Sequence, residues 1–260
     1  MRGLILLLAA LIVGQAAPAA PSADAFLAQA RQAIAGAGAR ARIHGLDIAV
    51  IDDVAADNGG RLPFTGGDWL GAGPTDDMGK PRIVTHIWLA PPSRFLEVTG
   101  GHRAGFDGGR PIGVVPAPMM PAFWRWALPL LLDPGAIGLE TAGESDATLG
   151  RTAVHVIDVV APDGDFEARL YFALRSMRLV KARFTVRATA YSGQTGAPVG
   201  AQAVTEEDSY GDYKRVDGHG VSIVLPFQIR RVQRTRAAVI AQFHIVKYTL
   251  NPKNLDDQFQ

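Results

Sequence analysis

The sequence predicts a mainly β protein: an antiparallel sheet, closed or half-closed, with its few helices on one face or in its mouth. Three observations carry that expectation. Apolar and polar residues alternate one by one along many short stretches, and period two marks a half-buried strand. Turn signals separate most of these stretches: Pro91-Pro92, Phe106-Asp107-Gly108-Gly109, Ala161-Pro162-Asp163-Gly164 and Asp217-Gly218-His219-Gly220. Strands joined by turns pair with their neighbours antiparallel, and about ten are expected. Only two stretches, 24–39 and 119–132, read as helix.

Residues 1–20 read as an export leader. Arg2 supplies the positive start, 4–13 is an apolar run of about half the roughly 20 residues that span a bilayer, and Gly14-Gln15-Ala16 or Ala17-Pro18-Ala19 suits cleavage. One domain is expected over 21–260. Its first helix, 24–39, takes Asp24 as cap, Phe26, Leu27, Ala30, Ala33 and Ile34 as apolar face, and Gly36 and Gly38 as stop. A strand at 43–51 places Leu46, Ile48 and Val50 on one face. Then periodicity stops: 52–81 is a long loop rich in Gly, Asp and Pro, with Phe64, Trp69 and Leu70 pinning it to the surface or covering a cavity mouth. Its Gly71-Ala72-Gly73 and Gly79-Lys80 do not make a phosphate cradle, since the spacing is one residue too long and Pro81 stands where a hydroxyl is needed.

Strands follow at 82–90, with Ile83, Ile87 and Leu89 on one face, and at 94–99. Segment 119–132 is apolar nearly all round, interrupted by Arg125 and by Pro121 and Pro129, the second of which should kink it. A helix with no polar face must be buried or meet something apolar. It is either a core helix filling the sheet or a lid over a lipid cavity, with Phe123, Trp124, Leu128 and Leu131 facing the guest; a membrane-surface helix would need a cationic face that it lacks. Further strands fall at 152–160, at 166–174 with Leu170 and Phe172 inward, and at 179–188, where Val180, Ala182, Phe184 and Val186 alternate with Lys181, Arg183, Thr185 and Arg187. After a glycine-rich link at 192–200 comes a strand at 205–214.

The chain closes on a long hairpin. Val221, Ile223, Leu225, Phe227 and Ile229 point one way in the first strand. After a basic break at 233–236, Ala237, Val239, Ala241, Phe243 and Ile245 do so in the second, with Gln242, His244 and Lys247 opposite.

Asp212-Tyr213, Val216-Asp217-Gly218, Leu225-Pro226 and Asn251-Pro252 before Leu255-Asp256-Asp257-Gln258-Phe259 stand in an order that resembles the C-terminal end of the outer-membrane lipoprotein carrier family, the LolA/LolB-like periplasmic proteins. The resemblance is clearest from about Glu167 onward, weaker from Arg82, and absent in the glycine-rich segment before it. It implies an incomplete antiparallel β-barrel, a half-barrel with helices covering the concave face and the N-terminal helix lying in it. It also implies a periplasmic protein that holds the acyl chains of a lipoprotein or lipid in a hydrophobic cavity without catalysis. The family's cavity-latching arginine would fall at Arg82 or Arg94.

Composition narrows the chemistry. Net charge is +1 over 260 residues, so no global field favours nucleic acid. No cysteine is present, which removes disulfides, thiolate metal sites, a cysteine nucleophile and an acylated N-terminal anchor. The six histidines, His44, His86, His102, His155, His219 and His244, form no local metal pair. No Gly-x-Ser-x-Gly elbow occurs. Asp52-Asp53, Asp76-Asp77 and Glu206-Glu207-Asp208 read as solvated loops or turns. Arg230, Arg231, Arg234 and Arg236 read as a basic tip that keeps the hairpin soluble or docks an acidic envelope partner or anionic lipid. No catalytic group, metal or cofactor is expected. An acyl chain gains about 0.8 kcal/mol per buried CH₂, so a carrier needs only a dry pocket, here lined by the four helix residues above and by Phe184, Ile223, Leu225, Phe227 and Phe243. The alternatives are an envelope-sensing regulatory module on the same fold and a periplasmic hydrolase with a site built from scattered His and Asp.

Overall fold

The structure, a computed structural model, describes residues 22–36, 38–53, 83–99, 101–108, 110–113, 119–130, 134–191, 198–233 and 238–260. The leader at 1–20, residues 54–81 of the long loop with Phe64, Trp69 and Leu70, the link at 192–197 and the basic break at 234–237 lie outside them. Among the described residues are helices α1 (Ala23–Ala35) and α2 (Met119–Ala127) and twelve strands. The strands are β1 (Leu46–Asp53), β2 (Ile83–Ala90), β3 (Arg94–Thr99), β4 (His102–Asp107), β5 (Arg110–Gly113), β6 (Glu140–Leu149), β7 (Thr152–Val160), β8 (Phe166–Ala173), β9 (Arg178–Tyr191), β10 (Pro198–Gly218), β11 (Val221–Gln233) and β12 (Ala238–Leu250).

They form one antiparallel sheet in the order β5-β4-β3-β2-β1-β12-β11-β10-β9-β8-β7-β6. Every hydrogen-bonded neighbour is also a sequence neighbour, except that β1 pairs with β12. Two meanders are therefore joined through the first and last strands, and the sheet stays open between β5 and β6. Both edges are guarded against further pairing: β5 is short and holds Pro111, and β6 carries Glu140, Glu144 and Asp146.

The sheet bends strongly. Phe123 of α2 lies against Phe106 of β4, with ring centroids 5.7 Å apart, while its neighbour Trp124 lies 4.5 Å from Phe166 of β8. Those strands are eight positions apart in the sheet order, which would be about 38 Å if flat. Only a half-barrel lets adjacent residues of one helix touch both wings. Its concave face holds one continuous core, including Leu46, Ile48, Val50, Ile87, Phe95, Phe172, Phe184 and Leu225, covered by α1 and α2.

Local chemistry explains most differences from expectation. Ser22, not Asp24, caps α1, its hydroxyl accepting from the Ala25 amide at 3.4 Å; Gly36 (φ 70°) ends the helix early, and Ala33 is exposed. Asp52 and Asp53 belong to β1, not to the following loop. β6 carries no apolar alternation, since it is exposed almost throughout, and so gives no strand signal. Two register shifts reset the alternation. One, opposite Tyr171 and Phe172, gives the core Leu179 in place of Val180. The other makes Val246 an extra residue, 57% exposed, so that Ile245, Tyr248 and Leu250 face in while Lys247 faces out.

On the convex face the C-terminal tail folds back over β2 and β3. Phe259 packs with Trp88, Ala90 and Leu96, and the Arg94 guanidinium lies 4.1 Å over its ring while pairing with Asp107 and Asp256. Asn251 makes this return possible. It holds φ 47°, a left-handed conformation that Asn tolerates, and its side chain accepts from the His44 and Gly45 amides at 2.7 and 3.3 Å and donates to the Arg42 carbonyl at 2.8 Å. Asn251→Ala should cost about 2–4 kcal/mol through lost hydrogen bonds and strain, read as a lower urea midpoint. Asn251→Gly, which tolerates the backbone angle, should lose less.

Candidate functional site

The site is the concave face beneath α2, and its first ingredient is the helix. Its aromatic residues reach three parts of the sheet: Phe123 packs on Phe95 and Phe106, Trp124 on Phe166, and Trp126 on Phe243 at 5.7 Å. The Trp124 indole donates to the Ile137 carbonyl at 2.9 Å, so its one polar atom is satisfied inside the core. Helical geometry gives way to a 3₁₀ turn at Leu128–Leu130, where Pro129 removes a helical donor, and all three residues of that turn are buried.

The predicted pocket residues converge. Phe123, Trp124, Leu128, Phe184, Ile223 and Leu225 are buried in one apolar cluster, and the half-buried Phe227 and Phe243 pack against it. Leu131 lies outside the described residues. Phe123 and Phe184 retain no exposed surface. In this form α2 therefore occupies the concavity itself, as a plug whose own side chains meet the sheet.

The second ingredient is a set of charges inside this apolar setting. Arg125, the one charge on α2, places a guanidinium nitrogen 2.5 Å from a Glu206 oxygen in ion-pair contact, without hydrogen-bond alignment. Among the described residues its Nε has no hydrogen-bond partner. Asp208, two residues along β10, receives two hydrogen bonds from Arg231 of β11, at 2.8 and 2.9 Å. The Glu206 oxygen is 3.7 Å from Arg231 Nε. Glu206 is 3% and Asp208 1% exposed. Next along the same face comes Tyr210, 6% exposed, whose hydroxyl has no hydrogen-bond partner among the described residues. Rings lie under both cations: Arg125 sits 5.2 Å over Phe184, and Arg231 4.9 Å over Phe243.

Burial acts differently on the members. It lowers the pKa of Arg125, assisted by repulsion from Arg231 and opposed by Glu206 and Asp208. It works against the charge of Arg231 too, but the Asp208 carboxylate, through charge and hydrogen bonds, more than offsets this and raises the pKa. Burial pushes the Tyr210 hydroxyl well up, reinforced by Asp208, so it stays a neutral donor. Across the concavity, burial raises the Glu97 carboxyl on β3, against the pull of Arg231 and a hydrogen bond with Thr99.

Three expectations are corrected here. Glu206 and Asp208 are not in a solvated turn; they sit mid-strand and face the core. Arg231 is not part of an exposed basic tip: strand parity turns it inward onto Asp208, while Arg230 is exposed and 234–237 lie outside the described residues. Arg94 is not a cavity latch, since it holds the tail on the convex face; Arg82 lies outside the described residues.

Several histidines have local polar contacts of their own. His155 meets Asp146 at 2.8 Å and packs at a tilt on Phe26, ring centroids 4.2 Å apart, while His86 meets Asp47 at 3.1 Å. Among the described residues no group of three or more His, Asp or Glu is placed to hold a metal ion, and no helix is long and apolar enough to cross a membrane.

No family model and no curated protein matches this sequence. Among solved structures, a DUF1329 family protein from Desulfovibrio piger aligns over 90% of this chain and 94% of its own, with 7% identity and a TM-score of 0.44. That overlap is too loose to carry a functional argument.

Two outcomes test the charged cluster. Arg125→Met, which leaves Glu206 without its close cation, should cost about 3–5 kcal/mol, and adding Glu206→Gln should recover most of it, in a double-mutant cycle read by urea unfolding. Glu97 gives a pH signature. Its raised pKa means that the stability of the protonated form is complete below the ordinary carboxyl value of 4.5 and is lost as pH rises through the folded value. Glu97→Gln should therefore exceed the wild type in thermal stability near pH 8, with the gap closing at about pH 4.

Proposed function

We propose that this protein is a periplasmic binding or carrier protein that holds the hydrocarbon chains of a lipid or lipoprotein on the concave face of its half-barrel, with α2 as a displaceable cover and no catalytic step. One observation carries the reading: the sheet is bent but open, and its apolar face is covered at the centre by a short helix whose own surface is hydrocarbon-like. Phe123, Trp124 and Trp126 occupy the space that acyl chains would take, against the same rings of β3, β4, β8 and β12. An acyl chain laid there would exchange one apolar contact for another and leave water at about 0.8 kcal/mol per CH₂. The export leader read at 1–20 and the family resemblance of the C-terminal half support an envelope location for this activity.

The delipidated protein should take up a fluorescent fatty acid or lipopeptide. In a Trp69→Phe, Trp88→Phe background, leaving Trp124 and Trp126 as reporters, a guest that displaces α2 should shift tryptophan emission to the red. Absence of uptake for every acyl ligand tried would remove the carrier reading.

A further inference from the structure

We propose that Glu206, with the Phe184 ring, is a subsite for the cationic head of the hydrocarbon guest, filled in this form by Arg125 of the chain's own cover helix. The proposal rests on the carrier reading and names the class of guest.

The geometry is that of a cation pocket. Glu206 on β10 and Phe184 on β9 are directly paired across the strands, so a carboxylate and an aromatic face stand side by side. Carboxylate and ring face are the two groups that hold ammonium and guanidinium ions in dry surroundings. One such ion is already there: Arg125 lies 5.2 Å over the ring and 2.5 Å from the carboxylate. The fit is incomplete, because among the described residues Arg125 Nε and the Glu206 oxygen that faces it lack an aligned hydrogen bond. A better-shaped cation could donate aligned hydrogen bonds to the carboxylate while resting on the ring face.

The alternatives meet specific obstacles. Asp208 and Arg231 are committed to each other by two hydrogen bonds and remain on the sheet when α2 leaves. Among the described residues, the withdrawal of Arg125 therefore leaves Glu206 paired with the Arg231 nitrogen at 3.7 Å, already engaged. A buried carboxylate that loses its close partner is strongly unfavourable, so the open state needs a cation in that place. An anionic head would instead face Glu206 and Asp208 on one strand face, with the nearest guanidinium on the sheet taken.

The test uses the full, delipidated chain and four twelve-carbon amphiphiles below their micelle concentrations: dodecylamine, dodecyltrimethylammonium, lauric acid and dodecanol. Each competes with a fluorescent hydrocarbon probe. In the wild type the two cationic compounds should bind about tenfold or more tightly than dodecanol and lauric acid, the worth of one charge-assisted contact. Arg125→Met, which vacates the subsite, should widen that margin. Arg125→Met with Glu206→Gln should erase it while dodecanol still binds. Equal affinity for the four heads, a preference for lauric acid, or a cation preference that persists in the double variant would overturn the subsite and leave the carrier reading standing. If no amphiphile displaces the probe, or the probe itself does not bind, both fall. If Arg125→Met does not fold, the wild-type comparison of heads decides alone.

Discussion

A sheet that bends through twelve strands without closing has a concave face from which water must be kept, and the strands cannot do this themselves. In a small closed barrel the inward side chains fill the interior and the wall has no gap. Here β5 and β6 are not paired with each other, so the interior must be covered from elsewhere in the chain. Two short helices do so: α1 with Phe26, Leu27, Ala30 and Ile34, and α2 with its three aromatic residues. Most other features follow from that need. The first and last strands pair, Asn251 turns the chain beside β1, and the tail clamps the outside of β2 and β3 with Phe259 and Arg94.

The four charges where α2 meets the sheet add little stability, because buried ion pairs are weak contributors compared with apolar packing of similar volume. They contribute position. Apolar contacts between a greasy helix and a greasy sheet are non-directional, and α2 would find several near-equal seats on such a surface. Arg125 has one complementary site, at Glu206, and the Asp208–Arg231 pair fixes that strand face by two hydrogen bonds. The charges thereby select one seat for a helix that hydrophobicity alone would leave unregistered.

Much of this was legible in the residues, and the failures have physical causes. Strands with one face in the core announced themselves by alternation: β3 and β7 span the predicted limits, and the turns at Gly108, Gly164 and Gly220 carry the positive φ that their glycines suggested. β6 was invisible because an exposed edge strand has no need of alternation. The residues named for the concave face lie in its core because they are apolar in phase. The charged members were missed for the complementary reason: an acidic run and a basic run each suggest solvent when read by composition. Parity held the answer. Glu206, Asp208 and Tyr210 share their phase with the core residue Val216, and Arg231 shares its phase with Ile229. What no phase could supply was that Arg125, far away in sequence, arrives at Glu206.

That meeting bears on how a cover and a guest would exchange on the proposed reading. A hydrocarbon chain replacing Phe123, Trp124 and Trp126 substitutes one apolar surface for another, so the hydrophobic terms largely cancel within the site, and the gain comes from the guest leaving water while the helix loses its shelter. With terms of similar size opposing each other, the smaller directional interaction decides the balance. Glu206 is placed to make it, since its close cation belongs to the cover and its strand belongs to the seat. In that exchange, whatever satisfies the carboxylate when α2 withdraws would set the population of the open form. On that reading the polar contact beneath the helix would act as the selective element, and the surrounding aromatic wall would supply affinity that is indifferent to the identity of the guest.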